Sequence, residues 1–168
     1  MSVEQLVNTI KQKLDDLGYL TDDNSDMPPS TELVTRLERM RGAVLPLDYQ
    51  IFLELYPSSG HFSSRDVAAR EVAPPFKTET GQVTVDEFFA YDPERGLEEK
   101  NRNDDQFTNM IWIGADVFGN RIYLDLKPES YGRVYWCDFE SPNELNNLIL
   151  VGNSFTHFIE TLETDGTE

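Results

Sequence analysis

The segment Met110 to Leu126, Met-Ile-Trp-Ile-Gly-Ala-Asp-Val-Phe-Gly-Asn-Arg-Ile-Tyr-Leu-Asp-Leu, limits the folds open to this chain more than any other. Two apolar runs are joined by a turn carrying Gly119 and Asn120, the residue types that reach positive φ at least cost. The pattern predicts strands Ile111 to Gly114 and Arg121 to Leu126 as a hairpin. A third strand, Arg133 to Phe139, follows through Lys127 to Gly132.

Helical signals dominate the stretch before it. Ser2 and Gln5 form a capping box, and Val3, Leu6, Val7, Ile10, Leu14 and Leu17 recur at helical spacing, predicting an amphipathic helix over 2–18. Tyr19 to Pro29 is polar and closes on two prolines, which predicts an exposed connection. Ser30 is placed to cap a second helix with Leu33, Leu37 and Met40 on one face and Gly42 as its stop. Pro46 suits the first turn of a third helix that buries Tyr49, Phe52, Leu53 and Tyr56.

Short strand candidates follow at Gly60 to Phe62, Glu71 to Ala73 and Gln82 to Tyr91, separated by Pro74, Pro75 and Gly81. From Pro93 to Asp105 the chain is charged and Leu97 is almost its only apolar residue, so a weakly packed helix or a solvated loop is expected. Ser154 opens a last helix with Phe155, Phe158, Ile159 and Leu162 on one stripe. Helices first, strands next and a helix at the end predict an α+β fold. The expected form is a mostly antiparallel twisted sheet packed against N-terminal helices and a C-terminal helix. A chain of 168 residues with 39% apolar content suits one domain over 1–168.

Thirty-one acidic residues against 14 basic ones give a formal charge of −17. Phosphate backbones and anionic lipid surfaces are therefore poor partners, so neither nucleic acid nor membrane is expected as a ligand. A basic polypeptide would be drawn in quickly. Solubility alone accounts for such a charge equally well. Cys137 is the single cysteine, which rules out an internal disulfide and a cysteine zinc cluster and suits a reducing cytoplasm. Neither a leader pattern nor a membrane span is read from the apolar runs.

No chemistry is legible. Gly114 and Gly119 are spaced as in a phosphate loop, but Asn120 and Arg121 stand where its lysine and hydroxyl residue belong. Asp22, Asn24 and Asp26 begin like a calcium loop, yet Met27 and Leu33 occupy its glycine and glutamate positions. His61 and His157 are the only histidines, and no nucleophile elbow accompanies them. Cys137 lies in a strand with no group beside it to activate a thiol. No cofactor, metal or catalytic residue is expected.

Three pieces together resemble the SUKH superfamily, named for the yeast Smi and Knr proteins and their bacterial relatives. The first is Leu37-Glu38 through Gly42 to Leu45-Pro46-Leu47-Asp48-Tyr49-Gln50-Ile51-Phe52-Leu53, followed by Gly60. The second is Ile113-Gly114-Ala115-Asp116, with Phe118-Gly119-Asn120 and Leu124-Asp125-Leu126. The third is Val134-Tyr135, Asp138, Val151, Ser154-Phe155 and Phe158. Order and spacing agree over residues 30 to 162. The resemblance implies a non-catalytic domain with a concave binding surface. In bacteria it implies an immunity protein that binds and neutralises a cognate polypeptide toxin, many such toxins being nucleases. The alternative is a regulatory scaffold of the Smi/Knr type that binds cellular proteins. Neither reading fixes the oligomeric state.

For either reading, Glu98, Glu99, Asp104 and Asp105, with Asp138 and Glu140, are the candidate electrostatic face. Tyr91, Tyr131 and Trp136 are the candidate anchors. Asp116 and Asp125 sit beside turns, where backbone hydrogen bonding is the expected job.

Overall fold

The Ser2 hydroxyl accepts from the Gln5 N–H, and the Ser2 N–H donates to the Gln5 side chain at 2.7 Å, starting α1 (Val3–Asp16). The computed structural model describes residues 1–24, 26–104, 106–139 and 148–164. Gly18, at φ +71°, turns the chain into β1 (Tyr19–Thr21), where polarity predicts only a connection. This strand owes its existence to a distant partner: Tyr19 pairs with Phe62 and packs its ring on Phe62, Tyr56 and Phe88.

The next helix, α2 (Ser30–Arg41), begins at Ser30 itself. Pro29 occupies the capping position, so the Ser30 hydroxyl is not a cap. Gly42 ends the helix at φ +66°, its N–H donating to the Glu38 carbonyl at 2.8 Å. Pro46 directly precedes α3 (Leu47–Leu55), which buries Tyr49, Ile51, Phe52 and Leu53. Next comes β2 (Gly60–Phe62), as the sequence predicts.

The candidate strand Glu71 to Ala73 is displaced to β3 (Val67–Arg70). Glu71 is taken by its own loop, since its carboxylate accepts from the Lys77 and Thr78 N–H groups and the Thr78 hydroxyl. The predicted Gln82 to Tyr91 strand is split into β4 (Gln82–Thr84) and β5 (Glu87–Phe88), which belong to different sheets. The charged stretch contains α4 (Leu97–Arg102), anchored by the fully buried Leu97. Then come β6 (Met110–Ala115), β7 (Arg121–Asp125), a 3-10 turn at Pro128–Ser130, and β8 (Val134–Cys137). Periodicity assigns no strand to β9 (Leu148–Gly152). It precedes α5 (Phe155–Thr161), capped by Ser154 as predicted, and β10 (Glu163–Thr164).

The larger sheet has the order β1-β2-β5-β6-β7-β8-β9, antiparallel at every pairing, and β10-β3-β4 form a smaller one. Helices flank the large sheet, so the architecture is the expected α+β. Strand alternation sorts the sheet's side chains between two faces. Ile111, Ile122, Leu124, Val134, Ile149 and Val151 join the helices' Leu14, Phe52, Phe155 and Phe158 in the main core. Met110, Tyr123, Cys137 and Leu148 form a second cluster, with Phe107, Trp112 and Tyr135 packed on it. Trp112, Tyr123 and Tyr135 lie side by side across three strands.

At the outer edge of the sheet, the β3–β4 loop crosses β9. The Val72 N–H donates to the Leu150 carbonyl at 2.9 Å and Lys77 Nζ to the Leu148 carbonyl at 2.8 Å.

Candidate functional site

Helix α4 brings the predicted acidic segment against β6 through a side chain. Asn101, fully buried, accepts from the Trp112 N–H at 2.7 Å and donates to the Trp112 carbonyl at 2.9 Å. The segment β5 is only two residues long, so the amide of Asn101 takes over where strand pairing stops. Arg41 continues the same edge, donating from Nε to the Met110 carbonyl at 2.9 Å.

Beside this junction lies a cleft of about 380 Å³, whose lining includes Glu99, Lys100, Asp104, Trp112, Arg121 and Phe139. It unites residues far apart in sequence, Glu99 to Asp104 on one side and Phe139 on the other. Its centre is Arg121, with the guanidinium carbon 3.7 Å from the Trp112 ring centroid and 3.9 Å from that of Phe139. A planar cation between two aromatic faces is held in orientation as well as in place. Asp104 completes the setting, 3.2 Å from Arg121 Nη1 and accepting the Tyr123 hydroxyl at 3.0 Å. Burial pushes the Tyr123 phenol well above its usual range, so it stays a donor. Lys100 Nζ sits 4.4 Å from the Phe89 ring centroid.

The individual candidates fare differently. The Asp104 side chain is only 3% exposed and serves Arg121 inside the fold, so it presents no charge to solvent. Glu98 is half-buried and shared between Arg36, at 3.3 Å, and Arg102, at 2.8 Å. Glu99 lines the cleft, and Asp138 is half-buried beside the cleft residue Phe139. Asp105 and Glu140 lie outside the described residues.

The aromatic candidates do not converge. Tyr91 is half-buried and bridged through its backbone to Ser58. Tyr131 is exposed but 2.6 Å from the Val44 carbonyl, to which its hydroxyl donates. Trp136 packs on the main core, its indole N–H buried without a partner among the described residues. Nothing in the sequence marks Trp112, Arg121 and Phe139, because the pairing of β6 with β7 and the bond from the Phe139 N–H to Asn120, beyond the end of β8, bring them together.

The turn aspartates do the expected work. Asp125 accepts from the Lys127 N–H at 2.9 Å and the Ser130 hydroxyl at 2.6 Å, and Asp116 fixes the β6–β7 turn. Burial raises the Cys137 thiol to about 11, which leaves it protonated at neutral pH. Among the described residues, no group of three or more His, Cys, Asp or Glu side chains is arranged to hold a metal ion, and no helix is long and apolar enough to cross a membrane.

No curated protein matches the sequence at a significant level. The model of the SMI1 / KNR4 family (SUKH-1) matches residues 28–161, a span from the residues leading into α2 to the last residue of α5. With most of the chain matched and the hairpin, the Pro46 helix and the Ser154 helix all in place, this protein belongs to the SMI1 / KNR4 (SUKH-1) family.

Proposed function

We propose that this domain is a non-catalytic immunity protein that binds a cognate basic polypeptide toxin and neutralises it by covering the toxin's functional surface. The observation that carries the reading is a charge of −17 on a chain of this family. An inhibitor of a nuclease meets a cleft built to hold phosphates, hence rich in Lys and Arg. An anionic protein reaches such a cleft at an electrostatically enhanced rate. The cleft around Arg121 supplies a stiff border for such an interface. Its aromatic walls and internal ion pair are ordered before any partner arrives, so little freedom is lost on association.

The test is neutralisation. A toxin domain encoded beside this chain is expressed in a bacterial host with and without it. Growth should be restored, and a stoichiometric complex should survive gel filtration. Glu99→Lys combined with Asp138→Lys should slow association several-fold at low ionic strength, with a shallower salt dependence. Absence of both rescue and complex, with stable binding to a resident cellular protein instead, would favour the regulatory Smi/Knr-type reading.

A further inference from the structure

The turn between β6 and β7 carries an apolar pair that the fold does not use. Phe118 is 79% exposed and Val117 47%. The turn itself depends on other residues: Gly119 takes φ +87°, and the buried Asp116 carboxylate gathers the donors. One Asp116 oxygen accepts from the Phe118 and Asn120 N–H groups, both at 2.9 Å. Its second oxygen accepts from Asn120 Nδ2 at 2.9 Å and from the Thr84 hydroxyl at 3.0 Å. The Asn120 side-chain oxygen accepts from the Phe139 N–H at 3.0 Å. The tip is thus tied to the end of β4 on one side and to the chain leaving β8 on the other.

A lone exposed ring is ordinary on a protein surface. Phe118 differs in its setting. It stands on a turn fixed through Thr84 and Phe139, so presenting it to a partner costs little conformational freedom. Asp86 lies beside the turn, its N–H donating to the Ala115 carbonyl at 3.0 Å, with Glu87 next to it. Asp138 adjoins Phe139 on the opposite side. Arg121 and Phe139 join the tip directly to the cleft. An exposed aromatic tip, with Asp86, Glu87 and Asp138 on the chain segments flanking it in a protein of charge −17, suits a cationic surface containing an apolar pocket. It does not suit a second copy of this chain, which would bring another −17 charge.

We propose that Phe118, with Val117 beside it, is the apolar anchor by which this chain grips a basic polypeptide. The ring enters a pocket on that polypeptide, and Asp86, Glu87 and Asp138 meet the Lys and Arg side chains around it. The proposal rests on the reading above that the partner is a cationic polypeptide.

The test places the photo-crosslinking residue p-benzoylphenylalanine at position 118 of the full chain, and at the exposed Glu79 as a control, in cells of the source organism. Irradiation should join position 118, and not position 79, to one basic polypeptide identified by mass spectrometry. With that polypeptide purified, Phe118→Ala should bind at least about 10-fold more weakly at an unchanged melting temperature. Crosslinking to a second copy, to an acidic protein or to nothing overturns the proposal, as does Phe118→Ala binding within about 2-fold of the unaltered chain. The two readings fail separately. If the basic polypeptide is gripped through Phe118 but not neutralised, the immunity reading falls and the anchor stands. If neutralisation persists and Phe118→Ala binds normally, the anchor falls alone.

Discussion

Asn101 treats Trp112 as a neighbouring strand would, accepting its N–H at 2.7 Å and donating to its carbonyl at 2.9 Å from a fully buried side chain. The same amide donates to the Leu97 carbonyl at 2.8 Å, so one side chain links the first turn of α4 to β6. Asn101→Ala removes these bonds together and leaves the Trp112 N–H without its acceptor. The expected loss is about 3 kcal/mol. Chemical denaturation should show it, along with faster hydrogen exchange at the Trp112 amide. A midpoint equal to that of the unaltered chain would refute this role.

Arg121 and Asp104 should behave as one unit. Arg121→Ala leaves an almost fully buried carboxylate without its cation, held only by the Tyr123 hydroxyl and the Gln106 N–H, and is expected to cost about 3 kcal/mol. Asp104→Asn in the same background should cost much less than it does alone. The double-mutant cycle is expected to return a coupling above about 1 kcal/mol, and additive losses would contradict the pairing.

Glu87 supplies a pH signature. Burial first, then the neighbouring Asp86, raises its carboxyl above the ordinary value of 4.5. A folded-state value raised in this way contributes stability that is present below the ordinary value and lost as pH rises through the folded value. At neutral pH the ionised group is therefore a liability. Glu87→Gln should raise the melting temperature near pH 7 by on the order of 1–2 °C, with the gain vanishing by about pH 3.5. A gain that persists in acid would point to packing instead.

Gly114 is required by contact. A Cβ there would lie 2.5 Å from the Glu87 carbonyl oxygen and 2.9 Å from the Phe88 ring. Since one obstacle is backbone, Gly114→Ala should force β5 and β6 apart at a cost of about 2–3 kcal/mol. The denaturation midpoint should fall with little change in slope.

Local codes in the sequence were legible and distant ones were not. The Ser2 box, the Gly42 stop, the Ser154 cap and the Met110 to Leu126 hairpin each depend on residues within a few positions of one another. Strand β1 was hidden because its reason for existing is Phe62, more than one element away. Ser30 has the side chain of a cap, yet Pro29 takes that position, since a proline precedes a helix equally well. In the candidate site, the acidic run was visible but its use was not. Asp104 is an internal partner of Arg121, 17 positions later, and the β6–β7 pairing together with the Phe139 N–H bond to Asn120 brings Trp112 and Phe139 to that guanidinium.

The β3–β4 loop has a consequence for association. By occupying the Leu148 and Leu150 carbonyls, Val72 and Lys77 deny the last strand of the large sheet as a template for foreign extended chain. A shortened version lacking residues 71–78 would hand those acceptors to whatever peptide came by. Such a variant is expected to clump through its flank even while its centre stays intact.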